Sequence, residues 1–364
     1  MDFYAFAGAG VLIVFMYERI GRQDGGTNQV LATIKSKDDV PFLSAPLIFV
    51  STLLTHLTGG SAGREGASIQ FGGSIGNWLG KLAHLDEFDH HVMIMCGMSA
   101  AFAAVFGTPM AAAVFAMEVA SVGVMYYAAL LPCVIAAIIA AEFATGMGID
   151  PETFPVHSIP GLTVETGLKM ALIAVGCGIL SILFCILLKI VGQLYTKYLK
   201  NPYIRIVVAA GVIILITICL NTKDYMGAGS GLIARAIENG EAGPLDFLWK
   251  MLLTALTMRA GYRGGEIVPA FSVGATFGCV AGGILGFSPE LAAAAGMVAL
   301  FCGVTNCPIT AMLISFELFG FSGAAYYLIA ISISYAVSGY YSLYKDQTIV
   351  YSKYKARYIN RKTR

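Results

Sequence analysis

An all-α integral membrane protein with broken and half-spanning helices is the fold class this chain predicts, and three observations predict it. Of its 364 residues, 57% are hydrophobic and 12% charged, against roughly 25% charged in soluble domains, and mean hydropathy is +0.74. Apolar segments recur at about 3–17, 44–57, 67–83, 92–119, 124–145, 167–194, 204–220, 246–258, 267–286, 290–319 and 322–339. Several fall short of the ~20 residues of a full span. Gly and Pro interrupt them beside acidic residues, and such breaks are tolerated at membrane depth only where the backbone is buried or lines a cavity.

Taken in order, residues 1–17 hold one acid, Asp2, and no basic stretch, so no signal peptide is read. Residues 3–17 read as a transmembrane helix that begins abruptly. The Gly-Gly-Ser-Ala-Gly run at 59–63 lacks the Lys-Ser/Thr ending of a phosphate loop. It leads into Gly63-Arg64-Glu65-Gly66-Ala67, the first acid beside a break. His56, in an apolar segment, reads as a satisfied core histidine. His90 and His91, near Asp86, Glu87 and Asp89, read as a solvated loop and not as a metal site. The Pro- and acid-containing segment 146–163 is the main boundary. It divides a first membrane repeat, 1–150, from a second, 151–344. The second carries the matching break, Gly264-Gly265-Glu266-Ile267-Val268-Pro269. The tail 345–364 holds seven basic residues against one acid, Asp346, which places it in the cytoplasm by the positive-inside rule. The eight cysteines lie in apolar segments without CxxC spacing and read as small core residues.

The two halves are related. Phe102, Pro109 and Glu118 share their spacing with Phe301, Pro308 and Glu317, while Ala67, Gly72 and Gly76 align with Pro269, Gly274 and Gly278. Glu65 and Glu266 fall one residue out of register on equivalent breaks. A repeat with matching broken segments is the signature of repeat-built transporters, whose site lies where the repeats meet. A carboxylate at membrane depth marks an ion or proton pathway, and the bare amides of a broken helix can hold an anion. Glu65 and Glu266 are therefore the candidate acids. The alternative for Glu65 is a helix-capping residue paired with Arg64, and for Glu266 a buried ion pair with Arg263 or Arg259. Glu118 and Glu317, equivalent at helix ends, suit a structural polar role.

These motifs resemble the CLC family of chloride channels and proton-coupled anion antiporters. Gly63-Arg64-Glu65-Gly66-Ala67 is similar to the family's GREGP motif, Gly265-Glu266-Ile267-Val268-Pro269 to GxFxP, and Ser342-Leu343-Tyr344 to the stretch around its anion-binding tyrosine. Gly25-Gly26-Thr27-Asn28-Gln29 stands where the family has GSGIP. The resemblance implies a CLC-type inverted repeat and a homodimer with one pore per subunit. It implies Glu65 as gate and proton carrier, Glu266 as a second functional acid, and Thr27, Arg64, Gly66, Ile267, Val268 and Tyr344 as anion-binding positions. Three departures, namely Thr27, Val119 in place of an inner proton glutamate, and Glu266 itself, resemble the bacterial fluoride-exporting branch. Gln29 and Val268 replace hydroxyl-bearing residues of parts of that branch. Residues 3–17 resemble the family's second core helix, so the first is expected to be absent from this chain.

The reading is fluoride export in exchange for protons across the cell membrane, with a chloride channel or chloride/proton exchanger on the same fold as the alternative. The chain shows no GxSxG, HExxH or paired aspartates within apolar segments, so no enzymatic activity is expected. No cofactor, metal or nucleic-acid partner is expected; the partners are fluoride or chloride, protons, the lipid bilayer and a second copy.

Overall fold

A computed structural model describes residues 3–21, 24–36 and 39–364. Among them the first half forms α1 (Phe3–Arg19), α2 (Thr27–Thr33), α3 (Ser44–Leu57), α4 (Glu65–Leu82), α5 (Glu87–Phe106), α6 (Pro109–Glu118), the short strand β1 (Ser121–Val122) and α7 (Leu130–Gly146). The second half forms α8 (Val164–Tyr198), α9 (Pro202–Leu220), α10 (Ser230–Glu238), α11 (Asp246–Ala260), α12 (Ile267–Ile284), α13 (Pro289–Thr305), α14 (Pro308–Phe319) and α15 (Ala324–Val337). Strands β2 (Thr348–Tyr351) and β3 (Tyr358–Lys362) close the chain. Five of these helical stretches are long and apolar enough to cross a membrane, and α8, with 35 residues, rises about 52 Å, so it must tilt or emerge from a ~30 Å hydrocarbon core.

The repeat is built into the helices. Helices α4 and α12 begin 202 residues apart, at 65 and 267, and end 202 apart, at 82 and 284. The apolar segments 92–119 and 290–319 each divide into two helices. Gly107 (φ 69°) ends α5 and Asn306 (φ 60°) ends α13, and a proline two residues later starts the next helix. Small residues let equivalent pairs cross closely. A Cβ on Gly72 or Gly97 would run into the other's carbonyl between α4 and α5, and Gly274 and Gly296 stand in the same relation between α12 and α13.

The core sits where the halves meet. Every residue of α13 from Leu291 to Thr305 is buried, as an apolar helix surrounded by others must be. Phe102, Phe106, Phe271, Phe301 and Phe115 form a closed circuit of ring contacts at centroid distances of 4.6 to 6.2 Å, linking four helices from both halves. The helix-end glutamates cap across the repeat. Glu118 accepts from the Ile309 and Thr310 amides of α14 (3.1 and 2.9 Å) and from the Thr310 hydroxyl (2.7 Å). Glu317 accepts from the Met110 and Ala111 amides of α6 (2.8 and 2.9 Å). Each proline-led helix start, with its free amides, is thus closed by an acid of the other repeat.

The basic tail folds back. Strand β2 pairs parallel with β1 and antiparallel with β3. Gln347, fully buried, donates to the Val119 and Thr305 carbonyls (2.8 and 2.7 Å) and accepts from Asn306 (2.9 Å), which ties the tail to both halves. Three expectations from sequence change. His90 lies in the first turn of α5 and bonds Asn77 Oδ1 (2.8 Å), so it is not in a solvated loop. His56 Nε2 makes no hydrogen bond among the described residues, although the ring is bonded to the Gly63 backbone, so this histidine is satisfied only in part. Cys219 faces outward on α9, because its position falls on that helix's uncovered side, whereas the other cysteines are buried or partly buried.

Candidate functional site

The two broken motifs meet backbone to backbone. Gly63 and Gly265 exchange both of their amide–carbonyl bonds (2.7 and 2.5 Å), forming an isolated antiparallel bridge between positions 202 apart in sequence. Glycine is needed for this approach: a Cβ on Gly66 would stand 3.1 Å from Gly265 Cα, and one on Gly265 would stand 2.6 Å from the Gly66 amide. The bridge sets the first turns of α4 and α12 against each other at the centre of the repeat.

Glu65 is the first residue of α4. Its side chain is 2% exposed, and Oε2 has no hydrogen-bond partner among the described residues. The carboxylate folds back over Gly63 and reaches Gly265, where a Cβ would stand 3.4 Å from Oε2. Arg64 turns away: its side chain is half exposed and bonds Glu152 at 3.2 Å, while its Nε stays 3.8 Å from Glu65 Oε1. The buried acid therefore has the Arg64 guanidinium 3.8 Å from one oxygen and no hydrogen-bond donor among the described residues at the other.

Glu266 precedes α12 at its N-cap, yet its side chain makes no capping bond. It meets Arg259 Nη2 of α11 at 2.8 Å, the ion pair that sequence reasoning held open as an alternative, with the carboxylate side chain 17% exposed. Ile267 and Val268, the first two residues of α12, are buried at 1% and 3% exposure. Their amides have no acceptor among the described residues, as expected at a helix start. Pro269 follows and has no N–H, so these two amides are the donors this helix offers.

A cavity of about 820 Å³ opens below the bridge. Thr27, Gly66, Glu266 and Tyr344 line it together, whereas Glu65, Arg64, Ile267 and Val268 do not. Thr27 starts α2, and its hydroxyl donates to the Gly66 carbonyl at 3.0 Å, linking the short helix to the first turn of α4. Tyr344, 4% exposed, is fixed through its backbone: its amide donates to Ser342 Oγ (3.1 Å) and its carbonyl accepts from Thr363 Oγ1 (2.7 Å). Among the described residues Lys189, Arg205, Arg259, Arg263, Lys345 and Arg364 line the cavity against one acid, Glu266, an excess of positive charge that favours anions.

Sequence reasoning missed three contributors. Lys250, fully buried in α11, donates to Ser61 Oγ (3.1 Å) and to the Tyr225 and Gly227 carbonyls (3.1 and 2.8 Å). Gly227 O also accepts from the Ala62 amide (3.1 Å), so Lys250 braces the loop that carries Glu65. A lone lysine inside the apolar segment 246–258 was the available signal. Thr363 and Arg364, which border the cavity, had none, because they reach it only through the folded tail.

A family model described as voltage gated chloride channel matches residues 9–339. A protein of Pseudomonas syringae pv. tomato described as a chloride/fluoride channel protein is 33% identical over 357 residues, spanning 95% of this chain and 78% of that protein. The H(+)/Cl(-) exchange transporter ClcA of Vibrio cholerae is 29% identical over 273 residues, 70% of this chain and 58% of that transporter. The crystal structure of a CLC-type fluoride/proton antiporter matches with a TM-score of 0.90 at 33% identity, covering 94% of this chain and 87% of that one.

Proposed function

This chain belongs to the voltage-gated chloride channel family, and from that premise we propose that it exports fluoride across the cell membrane in exchange for protons. The observation that carries the reading is the Glu65 carboxylate, buried at the helix crossing with an oxygen that makes no hydrogen bond among the described residues. Ionised, it competes with an anion for the donors at the start of α4. Protonated, it leaves them and carries a proton. Similarity to a fluoride/proton antiporter over nearly the whole chain supports fluoride as the anion. Fluoride is small and strongly hydrated, and the Ile267 and Val268 amides offer it short contacts, with Gly66, Thr27 and Tyr344 along its way from the cavity. Arg64, paired with Glu152 and 3.8 Å from Glu65 Oε1, supplies positive charge near the gate.

The tail 345–364 is read as cytoplasmic from its basic residues. On that reading the cavity, which Lys345 and Arg364 line, is the cytoplasmic vestibule. Repeats over 1–150 and 151–344 and a homodimer, the common symmetric assembly, complete the proposal. No enzymatic reaction is assigned.

Chloride transport is the second reading, favoured by similarity to the H(+)/Cl(-) exchange transporter. Against proton transfer at the inner end of α6, Glu118 is committed to three hydrogen bonds on α14 and Val119 follows it. The test is anion release from proteoliposomes loaded with fluoride or chloride. Release of fluoride in preference to chloride supports the proposal, and chloride release without fluoride preference overturns it.

A further inference from the structure

The two acids at the broken helices are held in opposite ways. Glu65 has an oxygen without a partner, whereas Glu266 is tied at 2.8 Å to Arg259. A carboxylate at a helix start is drawn by charge to the amides of the first helical turn. In α12 only Ile267 and Val268 can donate there, because the third position is Pro269. Those amides have no protein acceptor among the described residues, and the Glu266 carboxylate points instead to α11. Arg259 is well placed to hold it, since its aliphatic stem lies along α8, where a Cβ on Gly192 would stand 3.5 Å from Arg259 Cδ.

We propose that Arg259 is a positioning residue that keeps the Glu266 carboxylate off the first amides of α12 and so leaves them to the transported anion. The inference rests on the anion-transport reading. Without the guanidinium, the Ile267 and Val268 amides at its own helix start become donors open to Glu266, beside the cations Lys189, Arg205 and Arg263 that line the same cavity, and a tethered carboxylate at high local concentration competes with a free halide. Arg259 therefore sets anion affinity through Glu266 and not by touching the anion.

The experiment is isothermal titration of fluoride into detergent-purified wild type, Arg259→Gln, Glu266→Gln and the double variant. Arg259→Gln is expected to weaken fluoride binding by at least about tenfold, the low end of the coupling between close charge pairs. Adding Glu266→Gln is expected to restore it, because the competitor has lost its charge. Unchanged affinity in Arg259→Gln overturns the proposal. So does a loss that Glu266→Gln leaves in place, since Arg259 would then act on the anion or on the fold. If Arg259→Gln does not fold, Arg259→Lys carries the test: its point charge holds a carboxylate less rigidly, so a smaller loss, again reversed by Glu266→Gln, is expected, and no loss overturns the inference. A wild type that binds chloride and not fluoride defeats the functional reading alone, and the same comparison made with chloride still decides the role of Arg259.

Discussion

Gly63→Ala tests how the gate is seated without altering its chemistry. Gly63 is not among the residues with positive φ, so alanine fits the backbone. The new methyl would overlap Glu65 Oε2 and stand 3.0 Å from Pro269 Cδ and 3.3 Å from Gly265 O. The carboxylate is the flexible partner and must move by roughly 1 Å to restore ordinary contact. Holding a side chain that far from its preferred rotamer costs about 0.5–1.5 kcal/mol, equivalent to about a twofold to tenfold fall in occupancy of the seat. Glu65 remains ionisable, and stability should fall by only about 1–2 kcal/mol, typical of one added methyl in a tight site. In proteoliposomes, with a fluoride electrode outside and a pH electrode in the same chamber, the fluoride released per proton taken up should rise by up to about tenfold. A folded Gly63→Ala protein with an unchanged ratio would refute the reasoning that this seat closes the pathway.

Other outcomes follow from the same geometry. Glu118→Ala removes three hydrogen bonds that cap α14 and should lower stability by about 3–5 kcal/mol, read as a fall in melting temperature in detergent. Lost proton coupling at unchanged melting temperature would instead make Glu118 a proton-transfer residue. Gly97→Ala places a methyl against the Gly72 carbonyl and should cost about 1–3 kcal/mol or more, whereas Gly8→Ala, with nothing within 4 Å, should be close to neutral; equal effects would contradict the close α4–α5 crossing. Tyr344→Phe keeps the buried ring and removes the hydroxyl. Fluoride affinity should drop severalfold with melting temperature held, on the ~1 kcal/mol scale of one hydrogen bond, and an unaltered affinity would remove Tyr344 from the anion's path.

Much of this was legible in the chain because membrane helices announce themselves by composition and their interruptions by Gly and Pro. The match of positions 202 apart, read from Ala67, Gly72 and Gly76, became the Gly63–Gly265 bridge and the equal ends of α4 and α12. What stayed hidden depends on long-range closure. Whether Glu118 or Glu317 served its own helix could not be read locally, since each caps a helix about 190 to 210 residues away. The choice between Arg259 and Arg263 as partner of Glu266 depended on how α11 meets α12, and Arg263 instead stacks on the Tyr17 ring at 3.8 Å. Residues 345–364 looked like a charged tail because their strands alternate poorly and pair with a two-residue strand far upstream. A lysine in an apolar run does not reveal its partners, and the burial of Lys250 and its three oxygen partners, which make it the brace of the Glu65 loop, come only with the fold.

The measurement closest to the central claim is proton movement driven by fluoride alone. Vesicles holding this protein and loaded with fluoride, with equal pH on both sides and the membrane voltage clamped at zero, should take up protons as fluoride leaves, and Glu65→Gln should stop that uptake. Fluoride release without proton entry, or entry that persists in Glu65→Gln, would contradict an exchange mechanism centred on this carboxylate.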